Sequence, residues 1–306
     1  ARQGPTRARG LVGKSANRAC FTYAPSHALL SRSAVASQVE EPQWSVLQPI
    51  LSHYRNQVLV DEATDMSPIQ LACMSALSHP SVGGFVSCGD FNQRLTSWGA
   101  KTEAEFLWAS EGLTVRSISI SYRQTSQLGE LARVIIRSTG GADLAPTVPD
   151  GLDNTGPAPA LIEGVADERA MMSWVAERIR EIEGALGQLP SIAVFVVDER
   201  MVESAAAVLN ELLEDANIKA VACQNGRTIG QENDVRVFAI QHIKGLEFEA
   251  AFLTGVDQLE RLDSGLAGKY VYVGATRAAT YMGIGCYGSL PGPLSEVRPL
   301  SVSSWK

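Results

Sequence analysis

QVLVDEATDMSPIQL, residues 57–71, decides the class of fold. Val58-Leu59-Val60 reads as a short buried strand that runs straight into Asp61-Glu62. Ser67-Pro68 then opens the amphipathic stretch SPIQLACMSALSH (67–79), with a cap residue followed by proline at the first helical position. A strand leading into a helix in this way belongs to a parallel α/β sheet, where ligands collect at the carboxyl ends of strands. An aspartate in that place can orient Mg²⁺, and a neighbouring glutamate can polarise a water. The same pair also reads as two exposed turn carboxylates, so the rest of the chain has to decide.

The texture persists downstream. GFVSCGD (84–90) reads as a second buried strand and the alternating TVRSISI (114–120) as a third. A helix is expected over 125–138, and the Gly- and Pro-rich stretch 140–160 is a loop. Strands follow near 160–165, 191–197, 219–223, 235–241, 250–256 and 282–288, with helices over 167–184, 200–216 and 266–280 between them. Strands alternating with helices of this length predict parallel sheets covered on both faces.

Bulk properties narrow the function classes. At 306 residues the chain has room for two domains, and 45% hydrophobic with 19% charged residues fits a folded protein. No unbroken apolar run is long enough for a membrane span, so no membrane partner is expected. Five cysteines (Cys20, Cys73, Cys88, Cys223, Cys286) without a CxxC pair predict buried free thiols and a cytoplasmic location. A net charge of -7 excludes a globally basic nucleic-acid coat but not a local basic groove.

Four further segments carry candidate chemistry. CGDFNQRLTSW (88–98) follows a strand and offers the amide of Gln93, able to bond a phosphate and a water at once. SYRQTS (121–126) places Arg123 between a strand and a helix. IQHIKGLEFEAAFL (240–253) interrupts two apolar runs with a dense polar insertion. YVYVGATRAATYMGI (270–284) sets Arg277 among small and apolar residues. One arginine on such a face usually pairs with an acid, whereas two that converge can hold a phosphate by their planar forks.

In this order, the five segments resemble motifs II to VI of the UvrD/Rep-like branch of superfamily 1 helicases. VLVDEATD is similar to motif II, GDFNQRLTSWGA to motif III, SYR to motif IV, KGLEFE to motif V and YVGATRA to motif VI, over about residues 45–287. The resemblance implies an α/β fold of RecA-like parallel sheets, one incomplete domain followed by a complete second one. Residues 1–56 would be the remnant of a helical 1B-like region, 57–115 the C-terminal part of domain 1A, and 116–306 domain 2A. It also implies ATP and Mg²⁺ as cofactors, in the cleft between the domains, and single-stranded or partial duplex DNA as partner, with 3′–5′ movement.

Carried over residue by residue, the resemblance assigns Mg²⁺ to Asp61, water activation to Glu62 and γ-phosphate sensing to Gln93. Arg123 and Arg277 would act as arginine fingers. Gly245 and Glu247 would contact the nucleotide, with Glu247 on the ribose. Trp98, Gln241 and His242 would contact DNA, Trp98 by stacking on a base. As a plain side chain, Trp98 reads equally as a partly buried core residue.

Departures from the pattern are specific. Thr64 stands where the family has Gln, and Gln241 where it has His, with His242 one later. The segment after Gln93 is one residue short. Only about a dozen residues near 224–234 lie where many members insert a 2B subdomain. RGLVGKS (9–15) has Ala8 where a phosphate loop needs Gly, and no strand precedes it, so Gly13-Lys14-Ser15 is read as coincidence. The Walker A loop is therefore expected on a missing N-terminal segment or a partner chain, leaving this chain ATPase-deficient alone. The alternative is a non-catalytic, helicase-like DNA- or protein-binding module or subunit.

Overall fold

The computed structural model describes residues 52–79, 82–110, 112–118, 123–139, 154–261 and 267–306. The expectations for residues 1–51, for Cys20 and for the loop over 140–153 lie outside these. The chain divides into two compact units, Ala1–Arg116 and Ser117–Lys306.

In the first unit, β1 (Val58–Val60) and β2 (Phe85–Ser87) pair in parallel, joined through α1 (Pro68–Ala76). Helix α1 starts where the sequence places it. Gln70 N–H donates to Ser67 Oγ at 3.3 Å and Ser67 N–H to Gln70 Oε1 at 2.8 Å, a reciprocal capping box with Pro68 behind it. Helix α2 (Glu103–Ala109) packs on α1, and Val60, Ala63, Leu71, Ala100 and Ala109 form the small core. These two strands were expected to be buried on both faces, and they are not. Leu59 and Val86, opposite each other in the register, are 68% and 52% exposed, because α1 and α2 cover only the Val60 face.

Of the third expected strand, 114–120, residues 119 and 120 lie outside the described residues. Residues 113–118 form no ladder, and Ile118 is 88% exposed. Alternation alone makes no strand when no edge accepts it.

The second unit is built on one all-parallel sheet of six strands in the order β3-β8-β7-β4-β6-β5. The strands are β3 (Ala160–Ile162), β4 (Ile192–Val196), β5 (Ala220–Ala222), β6 (Val235–Ala239), β7 (Phe248–Thr254) and β8 (Ala278–Gly285). The helices are α3 (Ser126–Ser138), α4 (Glu168–Leu186), α5 (Val202–Leu213) and α6 (Ala267–Arg277). This is the doubly wound, RecA-like class of α/β fold that the sequence predicts.

Strand alternation sorts the core into two layers. Ile192, Val194, Val196, Val237 and Phe252 face α4 and α5, where Trp174 meets Phe252 edge-on at 6.2 Å. On the other face Phe195 stacks on Phe238 at 5.8 Å, and Leu253 lies against α6. Helix α6 ends at Arg277, three residues short of its expected end, because Ala278 pairs with Phe248 and starts β8 without a loop.

The C-terminal tail has no counterpart in the sequence reading. Val302 bridges Ala160 in parallel, and Leu161 N–H donates to its carbonyl at 2.8 Å, so the tail covers the β3 edge. Trp305 then packs on Tyr281 and Phe252, at 5.1 and 6.2 Å between rings. Among the described residues no helix is long and apolar enough to cross a membrane.

Candidate functional site

The first unit joins its two strand-end loops tightly. Asp61 is exposed just past β1, and its Oδ1 accepts the Glu62 N–H at 2.8 Å. Glu62 sits in the left-handed region at φ 49°, uncommon for a residue with a side chain and frequent at sites where geometry is over-determined. Across the ladder, the Cys88 thiol donates to Asp61 Oδ1 at 3.2 Å. That bond, then burial, then the charges of Asp61 and Glu62 push the Cys88 thiol up from its ordinary range. Of the described cysteines, Cys73, Cys223 and Cys286 are buried free thiols as expected, but Cys88 is exposed, because it lies in the loop that follows β2.

A few residues further on, the two loops are stapled together. Thr64 Oγ1 donates to the Asp90 carbonyl at 3.0 Å, and Asp65 Oδ1 accepts from Leu95 N–H at 3.0 Å and Thr96 N–H at 3.3 Å. Ala100 N–H closes onto the Met66 carbonyl at 2.9 Å. Gln93 and Trp98 lie on this stapled segment. Trp98 is 57% exposed, so it is not a core tryptophan.

An exposed carboxylate such as Asp61 suits Mg²⁺, which binds through one or two carboxylates and completes its shell with water and substrate phosphates. Among the described residues no cluster of three or more His, Cys, Asp or Glu forms a metal cage made by protein alone.

In the second unit the named residues divide between the two ends of the sheet. Glu247 and Arg277 immediately precede Phe248 and Ala278, the paired first residues of β7 and β8. Both therefore sit at the amino edge. Arg123 joins them there, ion-paired with Glu247 and donating from Nη2 to the Thr276 carbonyl at 2.6 Å. Gln124 fixes the segment by donating to the Ala275 and Ala278 carbonyls at 2.7 and 2.8 Å. Arg277 is only 5% exposed, with Nη1 reaching the Leu246 carbonyl at 3.4 Å. Gly245, at φ 71°, turns the chain into this edge in a conformation that a side chain would strain.

Gln241 and His242 lie at the opposite, carboxyl end, just past β6. They meet Glu199, which follows β4 and was not foreseen as a site residue. His242 Nε2 and Gln241 Nε2 lie 3.0 and 3.3 Å from Glu199 Oε2, and Asn225 N–H donates to Oε1 at 2.6 Å. The only available signal was an acid just after an apolar strand, which ordinary turns also show.

Residues 234–284, from the start of β6 to near the end of β8, match the family model of the UvrD-like helicase C-terminal domain. Over this stretch the chain is similar to a UvrD-like helicase C-terminal domain. That segment contains Gln241, His242, Gly245, Glu247 and Arg277, while Arg123 and the first-unit residues lie outside it. No curated protein matches the chain. Among solved structures it is similar to the C-terminal domain of a possible DNA helicase from Lactobacillus plantarum WCFS1. There the identity is 19% and the TM-score 0.43, over 58% of this chain and 94% of that one. It is also similar to the Arterivirus nonstructural protein 10 helicase solved with DNA. That match has 13% identity and a TM-score of 0.37, over 80% of this chain and 42% of that one.

Proposed function

We propose that the chain is part of an ATP-dependent DNA helicase or translocase of the UvrD/Rep type, moving 3′–5′ on single-stranded DNA. The observation that supports it best is the meeting of Arg123 with Glu247 and Arg277 at one sheet edge, Arg123 coming from more than 120 residues before the other two. Two arginines beside one acid match a ligand with a polyphosphate and a ribose, which needs cations and a hydroxyl acceptor together.

On this proposal residues 57–115 are the C-terminal part of a first RecA-like domain and 116–306 a second. ATP with Mg²⁺ supplies, when bound, the phosphoanhydride bond whose hydrolysis drives movement. Asp61 would hold the metal, Glu62 orient a water and Gln93 sense the terminal phosphate. Arg123 and Arg277 would face developing phosphate charge, with Glu247 on the ribose. Trp98, Gln241 and His242 would contact the DNA strand.

RGLVGKS (9–15) has Ala8 where a phosphate loop needs Gly, so on this proposal the phosphate-cradling loop would be supplied by a further segment or a partner chain. Turnover by this chain alone should then be negligible. It is tested on the full chain by amide hydrogen exchange with millimolar Mg²⁺ and a non-hydrolysable ATP analogue, and by fluorescence anisotropy with labelled oligothymidylate. Exchange should slow at 244–248 and 275–279, and Trp98→Ala should weaken DNA binding roughly tenfold or more, the worth of one stacked base. DNA binding that Trp98→Ala leaves untouched, together with unchanged exchange at both segments, would sink the proposal.

A further inference from the structure

We propose that Glu199 is an internal anion occupying a phosphodiester cradle at the carboxyl ends of β4, β5 and β6, so that the strand-binding face is self-occluded until a nucleic-acid phosphate displaces it. The proposal rests on the assignment of Gln241 and His242 to DNA contact and deepens it.

The geometry is that of an anion site with a carboxylate already inside. Three neighbouring strands, β4, β6 and β5, end here side by side. Each sends one segment to the same place: Glu199 after β4, Gln224–Gly226 after β5 and Gln241-His242 after β6. Glu199 is the acid that three of these groups share, while Gln224 Nε2 donates to Glu203 Oε1 at 2.7 Å and Gln241 Nε2 lies 3.1 Å from His242 Nε2. Oε1 takes the Asn225 N–H at 2.6 Å, and Oε2 is met by His242 Nε2 at 3.0 Å and Gln241 Nε2 at 3.3 Å. A main-chain amide, a side-chain amide and an imidazole are what phosphodiester oxygens accept from in nucleic-acid complexes.

The cradle is also shaped in advance. Asn225 and Gly226 are consecutive left-handed residues, φ 53° and 69°. Turns of this kind aim successive N–H groups at one concavity and favour anions. Gly226 is required twice over, since a Cβ there would lie 2.9 Å from His242 Nδ1. The Glu199 and His242 side chains are each 28% exposed, so a strand passing over the face could reach them.

A carboxylate resident among these donors opposes phosphate twice, by filling their bonding positions and by like charge. Substituting Glu199→Gln keeps the shape but removes the charge. Single-stranded DNA should then bind roughly fivefold to tenfold tighter at low salt, as expected for removing one like charge at close range on a partly screened surface. His242→Ala in the Glu199→Gln background should abolish the gain.

The test measures the full chain and its variants by anisotropy with fluorescein-labelled oligothymidylate over a salt series. In parallel, inorganic phosphate is titrated while following the His242 ring resonances by NMR; with four histidines in the chain, assignment is simple. Unchanged melting temperatures establish that each variant is folded, and Glu199→Asp, which retracts the charge by one methylene, serves as a second variant. Tighter DNA binding with a phosphate-responsive His242 in Glu199→Gln supports the proposal. A phosphate-responsive His242 without DNA binding keeps the cradle and refutes its assignment to DNA. Wild-type-like DNA binding in both Glu199 variants, with His242 indifferent to phosphate, overturns the internal-anion proposal while the helicase assignment stands.

Discussion

Glu181→Ala is expected to cost the second unit about 3–5 kcal/mol, the usual penalty for leaving one member of a buried ion pair without its partner. Arg178 and Glu181 are one helical turn apart on α4, with side chains 8% and 2% exposed. Arg178 Nε and Nη2 donate to the two Glu181 oxygens at 2.7 and 2.5 Å, a bidentate pair. The pair also fastens the tail, since Arg178 Nη1 donates to the Ser303 carbonyl and Trp305 N–H to Glu181 Oε2, both at 2.9 Å. Truncating Glu181 removes three acceptor contacts at once. It leaves the buried guanidinium with the Ser303 carbonyl, the Glu177 carboxylate at 3.6 Å and the Trp174 ring 5.9 Å away.

Urea denaturation, followed by circular dichroism and by tryptophan fluorescence, measures the loss. At about 2–4 °C per kcal/mol for a unit of this size, the melting temperature should fall by roughly 10 °C. The double variant Arg178→Met with Glu181→Leu should recover most of the loss, because an apolar pair avoids the desolvation penalty. The acid limb gives a second reading. Burial raises the Glu181 carboxyl pKa, but the Arg178 and Trp305 hydrogen bonds and nearby positive charge outweigh it, and the net shift is downward from 4.5. A carboxyl held lower in the folded state contributes stability that is complete above its unfolded value and is lost as pH falls through the folded one. The advantage of wild type over Glu181→Gln should therefore be full above about pH 4.5 and shrink below it. If Glu181→Ala melts within a degree of wild type, the tail is not held by this pair and the reasoning is wrong.

Two further outcomes are expected. Glu163, held at about 2 by the Arg298 guanidinium and the Leu290 N–H, ties the tail to the end of β3. Its contribution should be intact above pH 4.5 and disappear between 4.5 and about 2, an acid-limb difference that Glu163→Gln removes in pH-dependent melting. In the first unit, Asp65→Ala deletes the acceptor for the Leu95 and Thr96 amides. Their hydrogen exchange should accelerate roughly tenfold or more, since a lost charge-assisted bond is worth about 1.5–3 kcal/mol. Unchanged exchange would show that Asp65 does not hold the Trp98 segment.

The second unit's sheet was readable because its strands are buried on both faces and so appear as unbroken apolar runs, such as IAVFV and FEAAFLT. The same cue misled in the first unit. Leu59 and Val86 look like core residues, yet the described helices leave their face open. Where the chain passes from helix to strand at Arg277-Ala278, no Gly or Pro marks the change, because the strand pairing with Phe248 sets the boundary. The tail was opaque for a related reason. SVSSW has no period; the Val302 bridge to Ala160, the Arg178–Ser303 bond and Trp305 seated on Tyr281 and Phe252 make it part of the fold.

The candidate residues were visible one by one, but their division between two ends of the sheet was not. The eight residues 240–247 leave β6 at its carboxyl end and enter β7 at its amino end, running back along the length of the strands. They open with the 3-10 turn Ile240–His242, and Gly245 supplies the turn that brings the chain into β7. One short connection thus carries Gln241 and His242 at one end and Glu247 at the other. On the proposals above, a strand contact that displaces Glu199 would act on the start of this connection, and a nucleotide that engages Glu247 on its finish. Gly245→Ala tests this link, because it strains the connection while leaving the Gln241, His242 and Glu247 side chains in place, and nucleotide affinity measured without DNA reads the loss of Gly245's own contact. Single-stranded DNA binding and nucleotide-dependent exchange at 275–279 should remain separately measurable in it, with their mutual dependence weakened. If each ligand still changes the other's affinity by the wild-type factor, residues 240–247 do not link the two ends.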